Sequence, residues 1–250
     1  MNEPLVQTQV IPYLRELVKG GHELTLLTFE PGDVDEKAIR ERLAVDGVDW
    51  QWLRYHKRPS VPATLFDIAN AARFIRTLMK KLPFDILHAR SHVPMMMAAL
   101  ARKVSTHKPK LLFDIRGFMP EEYVDAGVWP EGGAIYRNVK RAEGWLMKEA
   151  DGFVILTEKA REILADQTGA RPVEVIPCCV DLKRFETANE VSRHQIRSEL
   201  GIGDRFAIAY VGAFGGWYLT EETVDFLAAA RNEYPDLFAL ILSQSDPAVI

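Results

Sequence analysis

Asp85-Ile86-Leu87-His88-Ala89-Arg90-Ser91-His92-Val93-Pro94 decides the reading of the fold, because a short apolar run passes here directly into a stretch with helical spacing. A strand buried on both faces reads as a continuous apolar run, and a strand followed at once by a helix opens a βαβ unit. The same change of period recurs on either side. Apolar runs stand at Leu24 to Phe29, Asp85 to His88, Leu111 to Ile115, Phe153 to Thr157, Val173 to Ile176, Phe206 to Val211 and Phe238 to Leu242. Between them, helical faces are carried by Val6, Val10, Leu14, Leu17 and Val18, and by Leu65, Ile68, Ala72, Ile75, Met79 and Leu82. Ile135 to Leu146, Glu158 to Gln167 and Glu221 to Tyr234 give three more. Met95, Met96 and Met97 read as packing residues of the helix that follows His92. Pro12 sits early in the first helix and predicts a mild kink.

This alternation predicts an α/β fold with a Rossmann-like, doubly wound parallel sheet. Composition agrees. Of 250 residues, 48% are hydrophobic and 26% charged, the balance of a globular chain rather than a disordered one. A net charge of -4 argues against a phosphate-backbone binder, so no nucleic-acid partner is expected. The only two cysteines are adjacent, Cys178 and Cys179, which excludes a disulfide framework and a paired-cysteine zinc site. With no basic residue beside them in sequence they read as inert. No apolar run reaches the roughly 20 residues of a membrane span, and Met1 opens onto polar residues rather than a signal peptide.

Pro177 to Gly203 is charged and strandless apart from one short helix near Arg193 to Leu200, so it reads as a connector holding a domain boundary. After it come a strand, a glycine-containing turn, a helix and a strand. One such unit is too small to bury both faces of a sheet, and the second domain reads as incomplete. The start is odd in a similar way: a doubly wound domain opens on a central strand, whereas here a helix comes first, so a first strand is expected ahead of Met1.

Three segments carry chemistry. Arg90, Ser91 and His92 emerge at the carboxyl end of a predicted parallel strand, where open α/β sheets bind ligands. Asp114-Ile115-Arg116-Gly117-Phe118 repeats the arrangement one strand later, with Glu121 and Glu122 following. An arginine there can neutralise a phosphate or carboxylate and an aspartate can orient it; a plain surface ion pair is the alternative. Gly212-Ala213-Phe214-Gly215-Gly216 lies between a strand and a helix, where backbone amides can approach a phosphate.

In register, these segments resemble the family 4, or group 1, glycosyltransferases of the GT-B fold. The resemblance rests on Tyr13-Leu14-x-x-Leu17-x-x-Gly20-Gly21-His22-Glu23-Leu24-Thr25, Asp85-Ile86-Leu87-His88-Ala89-Arg90-Ser91, Val175-Ile176-Pro177-x-x-Val180-Asp181-x-x-x-Phe185 and Tyr210-Val211-Gly212. It implies an amino-terminal, acceptor-side domain at residues 1–188 and the start of a nucleotide-sugar-binding domain at 189–250. It implies transfer of a sugar from a nucleotide-sugar co-substrate to a glycan or lipid-linked acceptor, with retention and without a bound metal or other cofactor. Arg116 and Asp114 would act at the transferred sugar; Arg90, Ser91, His92 and Glu121 would face the acceptor; Gly212, Phe214, Gly215 and Gly216 would face the donor. In many relatives a histidine stands where Arg116 does, basic residues lie in the region of Ala213 to Tyr218, and Pro-Asn-Gly replaces Pro177-Cys178-Cys179. The glutamate pair that grips the donor would fall past Ile250, so the chain alone is expected to show little or no transfer.

The expected location is the cytoplasm or the inner face of the cell membrane. Trp50, Trp52 and Trp129 read either as packed side chains or as a peripheral membrane contact. Two rivals stay open: a nucleotide-sugar 2-epimerase, which would need acidic bases such as Asp114 and Glu121, and a non-catalytic module that holds a glycan or partner protein.

Overall fold

A computed structural model describes residues 1, 3–186, 190–215 and 218–246, and shows an α/β protein whose strands all pair in parallel. The chain divides into two compact units. The first comprises Met1–Pro120 and Gly132–Val180, and the second Glu121–Glu131 and Asp181–Ile250.

In the first unit the leading helix is two helices, α1 (Pro4–Gln9) and α2 (Ile11–Lys19). Pro12 brings no amide hydrogen for the carbonyl of Thr8, so the chain breaks at Val10 rather than bending mildly. α2 ends where Gly21, at φ 87°, lets the His22 amide turn back to the Leu17 carbonyl at 3.1 Å. β1 (Leu24–Glu30) pairs with β2 (Val48–Arg54) across α3 (Glu36–Val45). Both β2 and α3 lie where no element was expected from sequence. On β2, Trp50 is 1% exposed, donates its indole N–H to Thr28 Oγ1 at 2.9 Å and stacks on Trp52. A side chain so enclosed offers nothing to a membrane surface. Trp129, in the second unit, stacks on Tyr123.

Beyond α4 (Ser60–Lys81) comes a four-stranded ladder in the order β3 (Ile86–Arg90), β4 (Lys110–Asp114), β5 (Gly152–Ile155), β6 (Val173–Val175). The helices between are α5 (His92–Lys103), α6 (Met119–Asp125), α7 (Ala134–Glu149) and α8 (Glu158–Thr168). Among the described residues no ladder joins β1 to β3, and the unit shows two separate parallel sheets. Its main core gathers Met95, Leu111, Phe113, Leu146, Phe153 and Ile155 between the β3–β6 sheet and its helices. Met95 and Met97 are buried there, and Met96 packs partly against the same core.

The second unit holds α9 (Glu190–Glu199), β7 (Ala207–Val211), α10 (Thr220–Glu233) and β8 (Phe238–Leu242). β7 pairs with β8 residue for residue. Among the described residues its buried apolar side chains are Ile202 and Phe214, while Val211, Phe226 and Leu242 remain more than half exposed. Two strands and two helices cannot enclose both faces of a sheet.

Candidate functional site

β3 and β4 run side by side in parallel, with Arg90 opposite Asp114, so their carboxyl ends open at one edge. The turn there is tight. Ser91 adopts φ 78°, ψ 174°, with its amide bonded to the Asp114 carbonyl at 2.8 Å and its carbonyl accepting from Met95 at 3.1 Å. A residue other than glycine in that region stores about 1–3 kcal/mol of strain, and such residues cluster at functional turns. Ser91→Gly is accordingly expected to raise stability by about 1 kcal/mol, read as a higher midpoint in urea unfolding.

Arg90 and Arg116 meet at this edge. Arg90 Nη2 lies 3.1 Å from Gln9 Oε1 and Arg116 Nη2 lies 3.4 Å from the same oxygen. Gln9 closes α1, 81 residues before Arg90 and 107 before Arg116. Arg116 also reaches Asp114 Oδ1 at 3.4 Å and Cys178 Sγ at 3.3 Å. Its side chain is 15% exposed and that of Asp114 8%, so this is no plain surface pair. His88, half exposed, sits 3.5 Å from the other Asp114 oxygen. Cys178 therefore has a basic neighbour through folding that it lacks in sequence. Tyr13 donates to the Pro177 carbonyl at 3.3 Å, tying α2 to the same segment.

His92 does not join this cluster. It begins α5, is 5% exposed, and points Nε2 at Glu143 Oε2 across 2.9 Å, with its ring edge-on to Phe113. Lys140 bonds the other Glu143 oxygen. Burial alone would raise the Glu143 carboxyl, but the hydrogen bonds from His92 and Lys140 outweigh it and hold its pKa below the usual glutamate value. With the folded value depressed, this group's contribution to stability is full above the unfolded carboxyl's pKa, about 4.3, and is lost as pH falls through the folded one. Unfolding free energy is thus expected to drop in that acid window. Glu143→Gln should flatten the drop in a urea titration repeated at several pH values.

In the second unit, the loop after β7 folds on itself. The amides of Gly212, Phe214 and Gly215 are bonded to Leu242 O at 3.1 Å, Ser245 Oγ at 2.8 Å and Thr220 Oγ1 at 2.8 Å. Gly215 takes φ 80°, and a β-carbon on Gly212 would come within 3.2 Å of the Tyr210 hydroxyl. Phe214 is buried against Tyr210, their ring centres 4.6 Å apart. Gly216 lies outside the described residues, and Glu121 belongs to this second unit. Among the described residues no helix is long and apolar enough to cross a membrane, and no cluster of three or more His, Cys, Asp or Glu is placed to hold a metal ion.

Gln9 had no sequence signal as a member of the cluster and is recruited by folding; Glu143 and Lys140 had none as the partners that hold His92 away from it.

Ionic and polar side chains gathered past the ends of adjacent parallel strands are the setting in which open α/β proteins bind ligands. Residues 6–184 match the family model of Glycosyltransferase Family 4, and the chain belongs to that family. In structure it is similar to Anabaena HepE in complex with UDP and glucose, at 14% identity and TM-score 0.52, over 89% of this chain and 62% of that one. It is similar also to sucrose-phosphate synthase from Thermosynechococcus elongatus, at 14% identity and TM-score 0.56, over 90% and 63%. Arabidopsis thaliana UGT89C1 complexed with UDP-L-rhamnose matches at 14% identity and TM-score 0.54, over 93% and 66%. At such identities the likeness establishes the fold alone. This chain spans less than two thirds of the length of each of these three. No curated protein matches the sequence.

Proposed function

We propose that the full-length protein is a retaining glycosyltransferase that moves a sugar from a nucleotide-sugar to a glycan or lipid-linked acceptor at the cytoplasmic side of the cell membrane. The observation that carries this is the family match over residues 6–184 combined with the pairing of Arg90 and Arg116 at the ends of β3 and β4, inside the matched segment. UDP-sugars are the favoured donor class, because HepE was solved with UDP and glucose and UGT89C1 with UDP-L-rhamnose.

The reading assigns the acceptor and the transferred sugar to residues 1–188 and the donor nucleotide to the domain that begins near 189. As the glycosidic bond loosens, negative charge grows on the departing diphosphate, and prealigned donors must meet it. Arg116 is assigned that role, with Asp114 holding its guanidinium. Arg90 and Ser91 are assigned to the acceptor side, and His92 to holding the start of α5. A diphosphate at Gly212 to Gly216 would take the amides of Phe214 and Gly215 from Ser245 and Thr220, whose hydroxyls can turn to other partners. Residues 1–250 alone are expected to transfer little sugar.

The test incubates the full-length protein with UDP-glucose and measures UDP release with and without an oligosaccharide acceptor. Acceptor-dependent release giving an α-linked product supports the reading. Solvent deuterium entering the donor sugar without acceptor would show an epimerase instead, and glycan binding with no nucleotide binding would show a non-catalytic module.

A further inference from the structure

The two guanidiniums at the ends of β3 and β4 are unevenly paired. Arg116 has Asp114 within 3.4 Å, but Asp114 is shared with His88, and the polar partner of Arg90 is the neutral amide oxygen of Gln9. Two like charges thus converge on one uncharged oxygen. Burial, and after it repulsion from Arg116, lowers the Arg90 guanidinium's pKa below its ordinary value. Holding two partly buried cations against a single carboxylate costs free energy that a bound anion would recover. A carboxylate's two oxygens are satisfied along one guanidinium edge, whereas the oxygens of a phosphate can bridge two guanidiniums at once. Ser91, at the strained turn directly after Arg90, makes no helix-cap hydrogen bond with its hydroxyl.

We propose that Arg90, Arg116 and Gln9 form a binding site for a phosphate group carried by the acceptor. This rests on the glycosyl-transfer reading for the word acceptor, and on geometry alone for the phosphate. The group reaches the site either on a soluble sugar phosphate or on a phospholipid-linked sugar; in both, the two arginines grip the same oxygens.

The decisive variant keeps both arginines. Gln9→Glu places a carboxylate where the amide oxygen stands, so it neutralises the pair from within. It is expected to raise the melting temperature and to weaken inorganic phosphate binding at least about tenfold in titration calorimetry at about 0.15 M ionic strength. Thr8→Glu adds the same charge one residue away, on the exposed side of α1, and is expected to leave phosphate affinity within about twofold. Arg90→Gln should weaken phosphate as Gln9→Glu does; if it fails to fold, the Gln9→Glu comparison still decides. Glucose 1-phosphate in the calorimeter and vesicles containing phosphatidic acid in a sedimentation assay separate the soluble source from the lipid one. Binding of either that Gln9→Glu abolishes supports the site. Equal phosphate affinity in wild type and Gln9→Glu, no phosphate binding by wild type, or acetate bound as tightly as phosphate would overturn it. Phosphate binding by a protein that transfers no sugar would leave this site standing and remove the transferase reading. Sugar transfer by a wild-type protein that binds no phosphate would do the reverse.

Discussion

Phe113→Ala is expected to lower the unfolding free energy by about 3–5 kcal/mol, the range for emptying a phenyl site in a closed core. Phe113 is fully buried on β4, the strand flanked by β3 and β5, so neighbouring strands fixed by ladder bonds cannot collapse into the void. It also carries two ring contacts, edge-on to His92 at 5.3 Å and tilted on Phe153 at 6.5 Å. His92 is the more sensitive of the two, because its Nδ1 is buried without a partner and relies on close packing to stay in place. Loss of about a fifth or more of a typical domain's stability follows, with the melting temperature falling on the order of 10 °C. Phe226→Ala is the contrast. That ring is 59% exposed on α10, and its removal should stay within about 0.5 kcal/mol. Urea unfolding of both variants settles the matter; equal effects would mean that the β3–β6 core is not where stability resides.

The largest effect on activity is expected from Arg116→Ala. If its guanidinium meets charge that appears only as the donor bond breaks, removing it should cost about 10²–10³ in kcat, as removal of a single prealigned donor does elsewhere. UDP-glucose affinity should change less than about twofold, because the charge that Arg116 meets is absent until the donor bond breaks. Stability is read separately by urea unfolding, because Asp114, 8% exposed, loses its guanidinium partner and keeps His88. Arg116→Lys keeps the charge but loses the planar fork, so it should fall between the two. Rates are read with an uncharged oligosaccharide acceptor, so that the proposed hold of Arg116 on an acceptor phosphate does not enter; a parallel loss of UDP-glucose binding and kcat would make Arg116 a ground-state ligand of the donor instead.

The sequence carried the parallel strands well because most are short apolar runs followed by helices, and a buried strand can hardly look otherwise. Phe238–Leu242 was placed to the residue. β2 escaped because Val48-Asp49-Trp50-Gln51-Trp52 alternates, with its polar residues turned outward, and the tryptophans drew attention as surface anchors. α3 escaped because Ile39 and Leu43 are its only buried side chains in a charged stretch. In the candidate cluster, the gathering of Arg90, Asp114 and Arg116 at one edge was legible from their place at or just past the ends of strands, with Ser91 in the turn between. His92 was equally conspicuous but turns inward, since the first residue of a helix can face either the ligand or the neighbouring α7, and Glu143 decides which. Gln9 and Cys178 could not be read at all: their roles come from distances of 62 to 107 residues along the chain that only packing closes.

Hydrogen–deuterium exchange of the full-length protein, with and without UDP-glucose and a phosphorylated sugar acceptor together, addresses the substrate's place directly. The expected result is slowed exchange in peptides covering Gln9, Arg90 to His92 and Asp114 to Gly117. Slowing confined to β1 and β2, with those three segments unchanged, would contradict the assignment of the reacting groups to the ends of β3 and β4.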